Sequence, residues 1–204
     1  SLNNILTKTR ETKEMTLTHF TTHTLDTAPA GAQDLLSQVS EKYGFLPNLM
    51  ATMAESPELA KAYAASGDLF GQTGFTPTEQ QVVLLAISRL NGCDYCVAAH
   101  STLAGLQQVP LDIVEAIRDG RPIADSRLAA LRRFTEAVVS QSGWVSAAEI
   151  EEFLAAGFDK RRVFDVILGV AMKTLSNYTN HVAKTPLDKA FAGQRWDSTA
   201  SDAG

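Results

Sequence analysis

The sequence lacks the long apolar runs that a membrane-spanning helix needs. Its longest uninterrupted apolar stretch runs only from Val82 to Ile87, whereas a transmembrane helix needs about 20 residues. The opening segment, residues 1–15, is polar with mixed charges and has no apolar core of the secretory type. We therefore expect a cytoplasmic protein with no membrane partner.

An excess of basic residues is also missing. The chain has 18 Lys and Arg against 23 Asp and Glu, a formal net charge of -5, so it has no surplus cations to neutralise phosphates and we expect no nucleic-acid partner. Repeats, low-complexity stretches and Gly-rich phosphate loops are absent from the sequence. Hydrophobic residues make up 45% of the 204 residues, which is typical of a compact globular chain.

Strand signals are few, whereas helix start and stop signals recur along the whole chain. Helix N-caps are predicted at Ser56, Thr76, Asp125, Ser146 and Asp159, and the Thr76 and Ser146 caps belong to Thr-x-x-Glu and Ser-x-x-Glu capping boxes. Helix ends are predicted at Gly44, Gly120 and Gly157. The pattern predicts an all-α bundle of eight or so helices, with short helices starting near Pro47 and spanning Pro186 to Phe191.

The domain organisation predicted from these signals is simple. Residues 1–20 are expected to be a flexible N-terminal extension, of which residues 1–14 precede a natural start at Met15. Residues 21–191 form one helical domain, and residues 192–204 are expected to be a flexible tail.

Cysteine is scarce, but the two that exist are three residues apart, in Cys93-Asp-Tyr-Cys96. In a reducing compartment such a pair indicates redox chemistry or metal binding more than a structural disulfide. On a predicted helix from Cys93 to about Leu106, the side chains of Cys93, Cys96 and His100 share one face. The positive end of that helix lowers the pKa of a thiol.

Spacing and helix-end electrostatics favour different nucleophiles. His100 lies one helical turn after Cys96 and can accept its proton directly or through a water, which favours Cys96. The helix end by itself favours Cys93. We give the specific proton acceptor more weight, so Cys96 is predicted to be the base-activated thiol and Cys93 the partner that closes a disulfide.

Two alternative interpretations compete with a redox site. Cys93, Cys96 and His100 have the spacing of zinc ligands, but an obvious fourth ligand is missing, and only His181 could fold back to supply it. The three side chains could also be ordinary core residues. The sequence calls for no cofactor and no metal if the site is a dithiol.

Three further groups are candidates for the site. Glu79 and Gln81 precede the cysteines on the neighbouring helix, and at about 100° per residue they point to nearly opposite faces, so only one of them can face the thiols. Glu79 already has a structural role in the Thr76 capping box. Asn177, Asn180 and His181 share one face of the last long helix, as site residues, interface residues or an ordinary polar helix end.

The run Thr76-Pro-Thr-Glu79, followed by Ala86 to His100 with its Cys-x-x-Cys-x-x-x-His motif, resembles the core motif of AhpD-like proteins in the carboxymuconolactone decarboxylase superfamily. Gly44 to Asn48 and Ala156 to Asn180 resemble the longer, peroxidase-related branch. The resemblance covers roughly residues 15–191. It implies an AhpD-like multi-helix fold, assembly into trimers or hexamers, and thiol-dependent reduction of hydroperoxides.

By that resemblance Cys96 attacks peroxide, Cys93 resolves the product, and His100 is the base of a proton relay. The family's relay begins at a glutamate that aligns by spacing with Gln81, and a glutamine cannot take up a proton, so either Glu79 substitutes for it or the relay is weakened. The expected partners are a peroxide and a thiol or lipoyl-type reductant, in an antioxidant role. The alternatives are a redox-sensing helical module and, with less support, a zinc-binding module.

Overall fold

The computed structural model describes residues 19–198, and within that range every regular element is helical. The prediction of an all-α bundle is therefore confirmed. Nine α-helices and one 3-10 helix occur in this part of the chain: α1 Ala30–Tyr43, α2 Asn48–Met53, α3 Pro57–Gly71, α4 Pro77–Leu90, α5 Asp94–Leu106, α6 Leu111–Arg118, α7 Ser126–Ser140, α8 Ala147–Ala155, α9 Lys160–Ala183, and the 3-10 helix Lys189–Gln194.

The helices begin and end where the sequence places their caps. The hydroxyl oxygens of Thr76 and Ser146 accept the predicted capping-box hydrogen bonds from the third residue of α4 and α8. Asp159 caps α9 through the Arg162 N–H, and Gly44 ends α1 in the left-handed region at φ 75°. Local side-chain chemistry therefore sets the helix boundaries.

The end of the chain differs from the expectation. The last helical segment does not start at Pro186; it is a 3-10 helix that begins three residues later, after Asp188. The buried carboxylate of Asp188 accepts hydrogen bonds from the backbone N–H of Asn48 and the hydroxyl of Tyr95. These bonds to α2 and α5 hold the segment before the 3-10 helix in an extended form.

Residues 192–198, which the sequence assigns to the flexible tail, have defined contacts with the bundle. Arg118 donates from its guanidinium to the carbonyl oxygens of Gln194 and Arg195, and the Trp196 indole N–H donates to the Arg118 carbonyl. Residues 199–204 and most of the predicted N-terminal extension lie outside the described residues.

Helix α4 lies at the centre of the bundle, in contact with α5, α6, α7 and α9. Burial on all sides explains why its apolar run from Val82 to Ile87 is continuous rather than periodic. One apolar cluster joins α4 to α6–α9, and a second joins α1–α3 to the start of α5. Both cysteines belong to the second cluster. No helix in residues 19–198 is long and apolar enough to cross a membrane.

Candidate active site

The two thiols lie at the N-terminus of α5. Cys93 is the N-cap and Cys96 is the third residue of the helix. Both are free cysteines, exposed to only 1% and 2%. The sequence-based placement of the pair at a helix start is confirmed. Because the sulfurs are buried, a substrate that reaches them is small at its reacting end, or neighbouring side chains move to admit it.

Polar groups from α9 surround the Cys96 sulfur. The Asn180 amide Nδ2 lies 3.3 Å from the Cys96 Sγ and 3.7 Å from the Cys93 Sγ. The Cys96 thiol donates to the Ser176 hydroxyl oxygen at 3.8 Å, and the Tyr63 side chain on α3 lies near Ser176 and Cys96. Polar protein groups therefore take the place of water around the sulfur.

These surroundings shift the pKa values of the two thiols in opposite directions. Burial opposes ionisation of Cys96, but the hydrogen bond from Cys93, the charge of Lys173 and hydrogen bonds from Ser176 and Lys173 together hold its pKa well below the ordinary value. The hydrogen bond to Cys96, with burial, raises the pKa of Cys93. A pair in which one sulfur is ionised and the other carries a proton is the arrangement a nucleophile and its resolving thiol need.

His100 follows Cys96 by one turn, but both of its ring nitrogens are bonded elsewhere. Its Nδ1 lies 3.1 Å from the Gln81 Oε1, and its Nε2 lies 2.9 Å from the Lys173 Nζ. Burial, with a contribution from the charge of Lys173, holds the pKa of His100 well below its ordinary value, so the ring is neutral at pH 7. A direct hydrogen bond from Cys96 to His100, one of the two predicted routes for the proton, is not among the contacts of residues 19–198.

Lys173 sets the direction of the hydrogen bonds through His100. An ammonium can only donate, so the Nε2 of His100 accepts from Lys173, and the Nδ1 carries the ring proton and donates it to the Oε1 of Gln81. The Nε2 of Gln81 in turn donates to the Oε1 of Gln107 at 3.0 Å.

Of the two candidates on α4, Gln81 is the one that faces the imidazole. Glu79 points to the opposite side of the helix, where its Oε2 accepts from the Thr76 N–H and its Oε1 accepts from Arg127 at 2.7 Å. The prediction that only one of these side chains can face the site agrees with this geometry. The carboxylate is the one that faces away.

The three polar residues near the end of α9 separate into different roles. Asn180 contacts both sulfurs, whereas the Oδ1 of Asn177 accepts from Asn91 at the end of α4. The Nε2 of His181 is buried without a hydrogen-bond partner. Of the three, only Asn180 touches the reactive atoms in the described structure.

The residues that sequence reasoning missed lie on α3 and α9 and at the C-terminal end of α5. They are Lys173, Ser176, Tyr63 and Gln107. A signal for the first two exists in the sequence, because Lys173 and Ser176 follow Val166 and Gly169 at spacings of three and four on the buried face of α9.

Two other kinds of site find no support around the thiols. Within residues 19–198, no group of three or more His, Cys, Asp or Glu side chains is arranged to hold a metal ion, so the zinc-binding alternative gains no support. An apolar cavity of about 410 Å³ lies between α2, α3 and α9, lined by residues including Met53, Leu59 and Tyr178. Neither cysteine lines it.

Fold and site together define an all-helical dithiol protein with a polarised Cys-x-x-Cys pair at a helix N-terminus. Residues 57–137 match the model of the carboxymuconolactone decarboxylase family. This match and the structural similarities below support the predicted resemblance to AhpD-like proteins of the carboxymuconolactone decarboxylase superfamily. None of the curated proteins matches the chain by sequence at a significant level.

Several solved structures share the fold. One is an alkylhydroperoxidase AhpD core structure, an uncharacterized peroxidase-related protein from Ralstonia eutropha JMP134, with a TM-score of 0.75 and 25% identity over 84% of this chain and 93% of that one. A second peroxidase-related protein, from Silicibacter sp. TM1040, has a TM-score of 0.71 and 20% identity over 82% and 90% of the two chains. A variant of the debrominase Bmp8 in complex with 2,3,4-tribromopyrrole has a TM-score of 0.68 and 17% identity over 81% and 89%.

Proposed function

We propose that this protein is a thiol-dependent hydroperoxidase whose dithiol also exchanges with external disulfides. The observation that carries the proposal is the buried Cys93–Cys96 pair at the N-terminus of α5, with the Asn180 amide 3.3 Å from the Cys96 sulfur. These surroundings lower the pKa of Cys96 and raise that of Cys93. The similarity to an AhpD core protein at 25% identity supports the same chemistry.

In the proposed reaction the Cys96 thiolate attacks the outer oxygen of a hydroperoxide. The O–O bond breaks, Cys96 becomes a sulfenic acid, and the inner oxygen leaves as an alkoxide that takes up a proton. The thiol of Cys93 then attacks the sulfenic sulfur, which forms a disulfide and releases water. An external dithiol or lipoyl-type reductant restores the pair by thiol–disulfide exchange.

The proposed reaction is supported by three side chains near the Cys96 sulfur: Asn180, Ser176 and Tyr63. The Asn180 amide donates to the Cys96 sulfur and stabilises its ionised form, and the contact with Ser176 also lowers the pKa of Cys96. Burial, with the charge of Cys96, raises the pKa of Tyr63, so its hydroxyl stays protonated next to Ser176. Because the sulfurs are buried, we expect hydrogen peroxide and small alkyl hydroperoxides to be the best substrates.

The decisive experiment uses the only two cysteines of the chain. Consumption of hydrogen peroxide and cumene hydroperoxide is measured with dithiothreitol as reductant, and dimedone is used to trap a sulfenic acid. Cys96→Ser should reduce turnover to background. Cys93→Ser, the matched control, should still form one equivalent of dimedone-reactive sulfenic acid at Cys96.

Unchanged turnover by Cys96→Ser would remove the mechanism. Negligible peroxide consumption by the native protein, with an assembly state that differs between dithiol and disulfide forms, would favour the redox-sensing module. The expected assembly into trimers or hexamers stays a prediction, supported by the exposed apolar side chains of Phe164, Ile167 and Val182 on α9.

A further inference from the structure

Lys173 is the most unusual charged residue of the molecule. Its side chain is fully buried on α9, whereas the other lysines in residues 19–198 are all exposed. No salt bridge between Lys173 and a carboxylate occurs in this part of the chain. A buried ammonium without a counter-charge is costly, so its surroundings should supply one.

The groups within reach of the Lys173 Nζ are an imidazole and a thiol. The Nζ lies 2.9 Å from the Nε2 of His100. Lys173 also lies one turn of α9 before Ser176, whose hydroxyl is 3.8 Å from the Cys96 Sγ, and its charge lowers the pKa of Cys96. Lys173 therefore connects His100 with Cys96. Helical spacing within α5 alone predicts that His100 acts on Cys96 without a third residue.

The remaining contacts decide where the proton shared by Lys173 and Cys96 resides. On the sulfur side, the Asn180 amide donates to Cys96 and the contact with Ser176 also lowers the pKa of Cys96, so both favour a thiolate. On the nitrogen side, the lone pair of the His100 Nε2 favours an ammonium, because the Nδ1 proton is held by Gln81. Both environments favour the charged pair over a neutral amine beside a neutral thiol.

We infer that Lys173 is the counter-ion of the Cys96 thiolate and the acid that protonates the oxygen leaving the peroxide, with His100 acting on Lys173 rather than on Cys96. The counter-ion role stands independently, while the acid role rests on the proposed peroxidase function. His100 and Gln81 are then positioning residues, which orient the ammonium toward the sulfur.

The proton and electron balance of the step is complete. The Cys96 thiolate gives two electrons to the outer oxygen of the hydroperoxide, the S–O bond forms and the O–O bond breaks. The ammonium of Lys173 gives one proton to the departing alkoxide, which leaves as an alcohol. The products are Cys96 sulfenic acid, an alcohol and a neutral Lys173 amine. After reduction of the disulfide, the Cys96 thiol returns one proton to Lys173.

The counter-ion role is tested by the pH dependence of iodoacetamide alkylation at Cys96, followed by mass spectrometry of the reduced protein. Lys173→Met keeps an apolar stem of similar length, and Lys160→Met, at the exposed start of the same helix, is the matched control. We expect Lys173→Met to slow alkylation at pH 7 by about 10- to 100-fold, since the thiolate loses its counter-charge. An alkylation profile in Lys173→Met that matches the native protein would overturn the inference.

The acid role has its own readout. An acid matters most for a poor leaving group, so Lys173→Met should lose more activity with tert-butyl hydroperoxide than with peracetic acid, whose carboxylate leaves without protonation. Equal losses with both oxidants would overturn this role. If the native protein consumes no peroxide but its alkylation still depends on Lys173, the proposed function fails and the counter-ion role stands.

If Lys173→Met does not fold, the native protein carries the test. Lysine labelled with ¹³C at Cε gives NMR spectra of the dithiol and disulfide forms. We expect the chemical shift of one lysine to differ between the two forms, because the charge of the Cys96 thiolate beside it disappears on oxidation. Lysine signals that are identical in both forms would contradict the inference.

Discussion

Glu79 and Lys173 are both buried charged side chains, and what surrounds each of them is very different. Glu79 is 5% exposed, caps the N-terminus of α4 and pairs with Arg127, which also packs over the ring of Phe158. Lys173 is 0% exposed and contacts an imidazole and a thiol in place of a carboxylate.

The charge of Glu79 stabilises the fold, whereas the charge of Lys173 belongs to the proposed chemistry of the thiols. The charge of Glu79 is satisfied whatever the redox state of the protein, because its partners are a guanidinium and a backbone N–H. In the site proposed above, the Cys96 thiolate is the counter-charge of Lys173, so oxidation of the thiols removes that counter-charge. A buried charge whose partner can react is a marker of a functional site.

The largest expected effect on stability comes from the structural charge. Glu79→Ala removes one half of the capping box and the partner of Arg127, and should lower the free energy of unfolding by about 2–3 kcal/mol. Glu79→Gln keeps an acceptor for the Thr76 N–H and should cost about half as much. Urea unfolding measures both, and the alkylation profile of Cys96 should not change in either variant.

The matched control for this prediction is the second capping box of the chain. Glu149 makes the same contacts with Ser146 at the start of α8, but its side chain is solvent-exposed and has no arginine partner. Glu149→Ala should therefore destabilise the protein less than Glu79→Ala. Equal losses of stability would show that the pair between Glu79 and Arg127 contributes nothing. A changed alkylation profile of Cys96 in Glu79→Ala would show that Glu79 also affects the reactive thiols.

The sequence predicts the role of Glu79 better than the role of Lys173, for a physical reason. Glu79 acts through the Thr76 cap three residues away, and Cys93, Cys96 and His100 lie within two helical turns, so spacing rules reach them. Lys173 meets His100 across 73 positions of the chain. Only the packing of α9 against α5 brings them together, and helical periodicity within one helix does not encode that packing.

Local sequence patterns also fail to predict the contacts of residues 192–198. Caps and glycines predict the helix boundaries as far as α9, because each is a local feature. The contacts of Trp196 and Arg195 with Arg118 are long-range hydrogen bonds made by a segment of unremarkable composition. Composition alone therefore assigned this segment to a flexible tail.

A second substitution on α4, at Gln81, tests the part of the comparison that concerns Lys173 and its partner His100. Gln81→Glu places a carboxylate beside the Nδ1 of His100, where it would hold the Nδ1 proton and make the Nε2 a stronger acceptor for Lys173. The Gln107 side chain can accommodate it by rotating its amide to donate. We expect peroxide turnover to rise by up to about tenfold, with a new dependence on pH near the ordinary pKa of histidine.

The matched control is Gln80→Glu, one residue earlier on the same helix, where the side chain bonds the Phe75 carbonyl away from the thiols. It should leave turnover unchanged. A Gln81→Glu variant with native turnover and a native pH profile would mean that His100 takes no part in proton movement, even through Lys173.

The smallest expected effect is a pH dependence of stability that belongs to His100. Its pKa is depressed in the folded protein, by burial first and by the charge of Lys173 second. The unfolded chain therefore binds a proton near pH 6.5 that the folded chain does not, so this contribution to stability is present above about pH 6.5 and is lost as the pH falls below it. The loss is at most about 1.4 kcal/mol per pH unit for one group.

His100→Gln isolates this contribution, because its side-chain oxygen can still accept from Lys173 but does not titrate. Urea unfolding at pH 7.0, 6.0 and 5.0 should show a steeper loss of stability on acidification for the native protein than for His100→Gln. Other titrating groups are common to both proteins and cancel in the comparison. Parallel curves would mean that the buried imidazole accepts a proton without cost, and Lys173 could then not be held as an ammonium beside it.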